Sequence, residues 1–231
     1  MSKMNNNFHI AIEGVIGAGK TTFCGLLQNY LNNLNIYPKV LTENINAWRS
    51  FGKEKINLLD KLYSNPNNYA YYFQQIAALT KVEQLSNSLD FLKITERTLE
   101  SQLHVFIPIL FEKKYINQLQ KDILEKMITN LSEIPYIKPD LIIYLKIDPV
   151  NAFQRIVQRK RSEEKNFTFE NVQQLHIFYE KWITNLSQTV PVIIVNEQSN
   201  FEKIFEKIYS TSKTMISNKN LKKLCNVKEL L

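Results

Sequence analysis

Residues 14–21 read GVIGAGKT, matching G-x-x-x-x-G-K-[ST] without a gap. The chemistry of that spacing is the holding of a polyphosphate. Gly14, Gly17 and Gly19 let the backbone curl, so that N–H groups along Val15, Ile16 and Ala18 turn towards phosphate oxygens. Lys20 has the reach to meet the outer phosphates, and the Thr21 hydroxyl, with Thr22 beside it, has the chemistry to ligate Mg²⁺. A second concentration of charge is RKRSEE at 159–164. Taken alone it reads as a solvated run, because on a helix Arg159–Glu163 and Lys160–Glu164 would be ordinary i,i+4 pairs. Further candidates stand in TENINAW, with Glu43 and Trp48, and in ITERTLESQLHVF, with Glu96, Arg97, Gln102 and Phe106.

The elements that must position these groups alternate between strand and helix. FHIAIE (8–13), PKVLTE (38–43), FLKIT (91–95), LIIYLKI (141–147) and VPVIIVN (190–196) are short apolar runs, as strands covered on both faces require. Between them, residues 21–34 carry Phe23, Leu26, Leu27, Tyr30, Leu31 and Leu34 at helical spacing. Asp148–Pro149 is a helix start, followed by a stripe of Phe153, Ile156 and Val157. Residues 168–187 place Val172, Leu175, Tyr179, Trp182 and Leu186 on one side of another helix. The alternation predicts a parallel sheet with helices on both faces. GVIGAGKT then lies between the first strand and its helix, the context that separates a phosphate loop from a glycine-rich turn.

With 231 residues, the chain fits one domain, read here as 1–210 with a terminal helix or tail over 211–231. The hydrophobic fraction of 44% and charged fraction of 22% are those of a globular protein. A net charge of +7 suits an anionic ligand without naming it. Cys24 and Cys225 make no disulfide framework, and His9, His104 and His176 are too scattered for a zinc site. The start, MSKMNNNFHIAIEG, has no signal-type apolar core, and VFIPILF (105–111) is too short to span a bilayer. These features predict a reduced, cytoplasmic setting without a membrane partner.

In order, EGxxGxGKTT, a Glu followed by Trp after the second strand, LYSNP (62–66), YYFQQ (71–75), ERT with a later Ser, and RKRSEE resemble the deoxyribonucleoside kinase family. The resemblance covers residues 8 to 196, and its force lies in the order of the motifs. It implies a three-layer α/β/α phosphate-loop fold with a five-stranded parallel sheet and an Arg-rich lid at about 158–167. It also implies transfer of the ATP γ-phosphate, with Mg²⁺, to a deoxynucleoside 5′-hydroxyl. On that likeness Glu43 is the general base, Arg97 binds near the 5′-oxygen and the moving phosphoryl group, and Glu96 holds Mg²⁺ opposite Thr21. Gln74 reads the base edge, with Gln102 facing the same pocket. Trp48 and Phe106 enclose the ring, and Tyr63 and Glu164 hold the sugar 3′-hydroxyl. Arg159 and Arg161 close over the ATP phosphates, and Arg155 lies against the adenine. Lys160 and Glu163 are expected to remain solvated. A homodimer, formed through the 100–115 and 168–187 regions, is also implied.

The chain departs from the family pattern at Asn44, where most members have Pro, which predicts a less rigid hold on Glu43. Lys81 with Gln102 matches neither of the family's usual base-pocket pairs, so the preferred base is left open. Two other readings compete. A thymidylate-type monophosphate kinase would share the layout but needs an extra Arg after strand two and a DR[YH]-type motif after strand three. A nucleic-acid-binding module would use the positive charge, yet Glu43, Glu96 and Glu164 would repel a polyanion.

Overall fold

The computed structural model describes residues 7–88, 90–186 and 190–228. The initial MSKMNN and the side chain of Cys225 lie outside that description. Five strands, β1 (Phe8–Glu13), β2 (Lys39–Leu41), β3 (Leu92–Glu96), β4 (Leu141–Lys146) and β5 (Val192–Asn196), form one sheet in the order β2-β3-β1-β4-β5, every pairing parallel. All residues of β1 and β3 are buried, as are five of the six in β4, including the polar His9, Glu13, Lys93, Thr95 and Glu96. The edge strand β5 alternates between buried and exposed residues instead.

Helices cover both faces: α1 (Lys20–Asn33), α2 (Ile45–Arg49), α3 (Leu58–Ser64), α4 (Pro66–Ser86), α5 (Leu99–Ser101), α6 (Ile107–Glu112), α7 (Gln118–Ser132), α8 (Pro149–Arg159), α9 (Phe169–Leu186) and α10 (Phe201–Lys228). The result is the three-layer phosphate-loop fold. Asp148 caps α8 as its sequence predicts, accepting a hydrogen bond from the Val150 N–H at 2.7 Å. α10 runs across residue 210 and packs Phe205 against Phe23 and Tyr30 of α1.

Two helical stripes differ from the reading of the sequence. In α1 the inward residues are Phe23, Cys24, Leu27 and Leu31, while Leu26 and Leu34 are exposed. In α8 Ala152 and Ile156 face inward and Val157 outward, so that helix is held by a small residue at a close approach. A Cβ on Gly17 would come within 2.3 Å of the Ala152 carbonyl oxygen. With a φ of +83°, Gly17 needs glycine both for its backbone and for the approach of α8.

Reversal of strand order around β1 opens a crevice at the carboxyl ends of the strands. The phosphate loop follows β1 there, and Glu96–Arg97 end β3 beside it.

Candidate active site

The loop comes first because its backbone sets the rest. Gly19, with φ +88°, turns the chain into α1, whose first residue is Lys20. The Lys20 ammonium folds back and donates to the carbonyls of Gly14 at 3.1 Å and Val15 at 3.0 Å. Burial, and then the Arg97 guanidinium, pull its pKa down to about 8 against the neighbouring carboxylates. Thr21 and Thr22 are exposed at the mouth of the helix.

Opposite the loop stands Arg97, whose φ of +61° is rare for a residue with a side chain. Its Nε donates to Glu43 Oε1 at 2.7 Å, and its Nη1 to the Gly14 carbonyl at 3.2 Å and the Tyr179 hydroxyl at 2.6 Å. The Phe106 ring lies 4.8 Å from the guanidinium carbon. Burial pushes the Glu43 carboxyl up, but Arg97, Lys20 and Lys81 outweigh it and hold it below the usual range. Asn44, where the family pattern has Pro, caps α2 by accepting from the Ala47 N–H at 3.2 Å.

Trp48 on α2 donates its indole N–H to Thr80 at 3.1 Å and meets Phe73 edge-on at 5.2 Å. Gln74 is buried on α4, and Tyr63 on α3 meets Phe167 edge-on at 5.6 Å. Lys81 neither snorkels outward nor spends its ammonium on the base pocket alone: it is buried and donates to the Glu96 carbonyl at 2.6 Å. Gln102 and Phe106 bracket a π-helical segment, Gln102–Phe106, in which Ile107 N–H returns to the Gln102 carbonyl. Pro108 has no N–H to offer the His104 carbonyl, which fits the widened turn at this point. Two oxygens in this region, Glu96 Oε1 and Gln102 Oε1, are buried without a hydrogen-bond partner among the described residues.

Lys20, Glu43, Trp48, Tyr63, Gln74, Lys81, Glu96, Arg97, Gln102 and Phe106 line one cleft of about 700 Å³, as do Thr21, Thr22, Arg155, Arg159, Arg161 and Glu164. The RKRSEE reading needs correction here. Arg159 makes a two-pronged pair with Glu164, at 2.8 and 2.5 Å, and Arg161 adds a third bond at 3.1 Å. The i,i+4 pairs of a continuous helix are absent because α8 stops at Arg159, where Lys160 takes a left-handed φ of +50°, and Ser162–Asn166 forms a 3₁₀ turn. Lys160 is exposed as expected, but Glu163 is buried, paired with Arg49. Arg155 is half exposed, its two terminal nitrogens each 3.4 Å from an acceptor: the Ala18 carbonyl and the Glu197 carboxylate.

A family model described as Deoxynucleoside kinase matches residues 10–217. The chain belongs to the deoxynucleoside kinase family. Among this kinase's relatives, a probable deoxycytidine kinase of Fowlpox virus is 32% identical, covering 87% of this chain and 83% of the relative. A deoxyadenosine kinase of Dictyostelium discoideum is 30% identical over 81% of this chain and 71% of its own length. The mitochondrial thymidine kinase 2 of Homo sapiens is 24% identical, over 92% and 79% respectively. The family function is phosphorylation of deoxynucleosides, and the monophosphate-kinase reading is not favoured.

A residue outside the quoted motifs, Tyr179, ties two of them together. Glu13 at the end of β1 accepts from the Thr98 N–H at 2.7 Å and hydroxyl at 2.8 Å, and from the Tyr179 hydroxyl at 2.9 Å. Tyr179 therefore bridges Glu13 and Arg97. The available signal was a hydroxyl-bearing ring on an apolar stripe, since a buried Tyr hydroxyl finds a partner. Arg49 and Asn57, both bonded to Glu163, left no such signal.

Proposed function

We propose that this kinase transfers the γ-phosphate of ATP to the 5′-hydroxyl of a deoxynucleoside. The observation that carries the proposal is the Arg97 guanidinium, bonded at once to the Glu43 carboxylate and to the Gly14 carbonyl of the phosphate loop. It joins a proton acceptor to the donor's cradle within one cleft.

In this reading the loop N–H groups from Gly14 to Thr22, with the Lys20 ammonium, hold the donor phosphates. On phosphate binding Lys20 exchanges its two carbonyl partners for a polyanion. Glu43 orients the 5′-hydroxyl and accepts its proton. Its low pKa makes it a weak base, which suits phosphoryl transfer, where positioning and charge stabilisation dominate. Arg97 neutralises charge on the moving phosphoryl group while fixing Glu43. Mg²⁺ fits Thr21 and Glu96, whose buried Oε1 has no partner, and would supply charge neutralisation on the donor phosphates.

On the acceptor side, Trp48 and Phe106 enclose the base, Gln74 and Gln102 meet its edge, and Tyr63 and Glu164 take the sugar. Arg159 and Arg161, in a lid at about 158–167, leave Glu164 for the donor phosphates, and Arg155 lies towards the adenine. The carboxylates of Glu43, Glu96 and Glu164 make the cleft unfit for a nucleic-acid backbone. One catalytic domain, a homodimer and a cytoplasmic setting complete the proposal. Among the described residues no helix is long and apolar enough to cross a membrane.

Replacing Glu43 with Gln tests the assignment, because it keeps size and hydrogen bonding but removes the proton acceptor. Turnover should fall about 10²- to 10⁴-fold, with nucleoside affinity within a few-fold of wild type. Near-normal turnover would show that another group takes the proton.

A further inference from the structure

The phosphoryl-transfer reading leaves two charged residues of RKRSEE, Lys160 and Glu163, without a task, and of the two only Glu163 is buried. Its side chain is 3% exposed, although Lys160, Ser162 and Lys165 around it are exposed. Arg49 donates to both its oxygens, Nε to Oε1 at 2.7 Å and Nη2 to Oε2 at 3.1 Å. Asn57 Nδ2 adds a bond at 3.2 Å and the Ser162 hydroxyl another at 3.2 Å. This is the two-pronged geometry in which guanidinium–carboxylate pairs are strongest. The Arg49 hydrogen bond holds the carboxyl down at about 2, so the pair is ionised throughout the physiological range.

The two partners are placed where the acceptor is held. Arg49 is the last residue of α2, next to Trp48. Asn57 caps α3 by accepting from the Asp60 N–H at 3.0 Å, and α3 carries Tyr63. The following residue, Glu164, is bonded instead to Arg159 and Arg161. Successive side chains of a 3₁₀ turn point about 120° apart. Glu163 and Glu164 therefore face different ways from one short segment, one to the acceptor helices and the other to the donor arginines.

We propose that Glu163 is a positioning residue: through Arg49 and Asn57 it locks the 162–166 segment to the helices that carry Trp48 and Tyr63, so that donor binding and acceptor binding are coupled. It rests on the proposed kinase reaction. When donor phosphates draw Arg159 and Arg161 from Glu164, the lock keeps the segment against α2 and α3, and the freed carboxylate stays within reach of the acceptor's sugar. Without the lock the arginines still meet the donor, but the event is not transmitted.

The test is a coupling measurement on the full chain. Deoxynucleoside affinity is measured with and without a non-hydrolysable ATP analogue and Mg²⁺, for wild type, Glu163→Ala, Glu163→Gln and Arg49→Ala. Wild type should bind the nucleoside roughly five- to fifty-fold more tightly with the analogue present, and the Ala variants should lose most of that factor. Nucleoside KM should rise about tenfold in both Ala variants, ATP KM should change less, and Glu163→Gln should fall between. Arg49 is 41% exposed, so its variant keeps the test available if Glu163→Ala does not fold. A lower melting temperature with an unchanged coupling factor would mean a structural staple only and would overturn the proposal. If wild type phosphorylates no deoxynucleoside, the kinase reading itself falls. With an active wild type, equal coupling in all variants removes this inference alone.

Discussion

At the residue scale, the cleft brings cations and carboxylates together and sets their titration. Lys20 is drawn down to about 8 by burial and by Arg97, whereas a free lysine titrates near 10.5. Between those values the folded chain binds fewer protons than the unfolded one, so this group adds stability as pH rises through that window. Nucleotide binding has the opposite sign. Phosphates favour the charged ammonium, so above pH 8 binding must take up a proton. ATP affinity, measured by calorimetry from pH 7 to 9.5, should be flat below pH 8 and then fall by up to tenfold per unit. A flat profile throughout would place the Lys20 pKa elsewhere. The buried, unpartnered Gln102 Oε1 gives a second prediction. A base with an exocyclic amine can donate to it, and a keto oxygen cannot. Gln102→Leu should lower kcat/KM for deoxycytidine by about tenfold, with a smaller change for thymidine. Equal losses for both would show that the amide does not distinguish the two base edges.

At the element scale, each proposed catalytic group depends on a terminus or turn. Arg97 holds a left-handed backbone at the end of β3, and its guanidinium is gripped by Glu43, Gly14 and Tyr179. Tyr179, from α9, passes that grip to Glu13 at the end of β1. Tyr179→Phe should therefore cost about 1–3 kcal/mol in denaturant unfolding and lower kcat without a matching rise in ATP KM. Loss of stability with unchanged kcat would limit Tyr179 to packing. These elements were unequally legible. β1, β3 and β4 are covered on both faces, and their apolar runs carried the sheet; GVIGAGKT carried the loop. The α8 stripe misled because Ala152, chosen for its closeness to Gly17, has too little apolar surface to mark a buried face. The π segment at Gln102–Phe106 departs from the 3.6-residue period that reveals a helix, with Pro108 as its only trace. Glu163 looked solvated because its partners lie 114 and 106 residues away, and such distant pairing leaves no local pattern.

At the scale of the whole molecule, the parallel sheet gathers groups from both halves of the chain at one edge. β1 and β3 supply the phosphate loop, Glu96 and Arg97; α2, α3 and α4 supply Trp48, Tyr63 and Gln74; the turn after α8 supplies Glu164. Cations including Lys20, Arg97, Arg159 and Arg161 line the cleft beside the carboxylates of Glu43, Glu96 and Glu164; in the proposed reaction the cations meet the donor phosphates and the carboxylates the neutral acceptor. The proposed division into donor and acceptor territory is tested most directly at the acceptor. ADP release should be measured at fixed ATP–Mg²⁺ with each of the four deoxynucleosides and, separately, with dTMP. The account predicts release that depends on a deoxynucleoside and yields its 5′-monophosphate, with only background release on dTMP. Turnover of dTMP without turnover of any deoxynucleoside would contradict it.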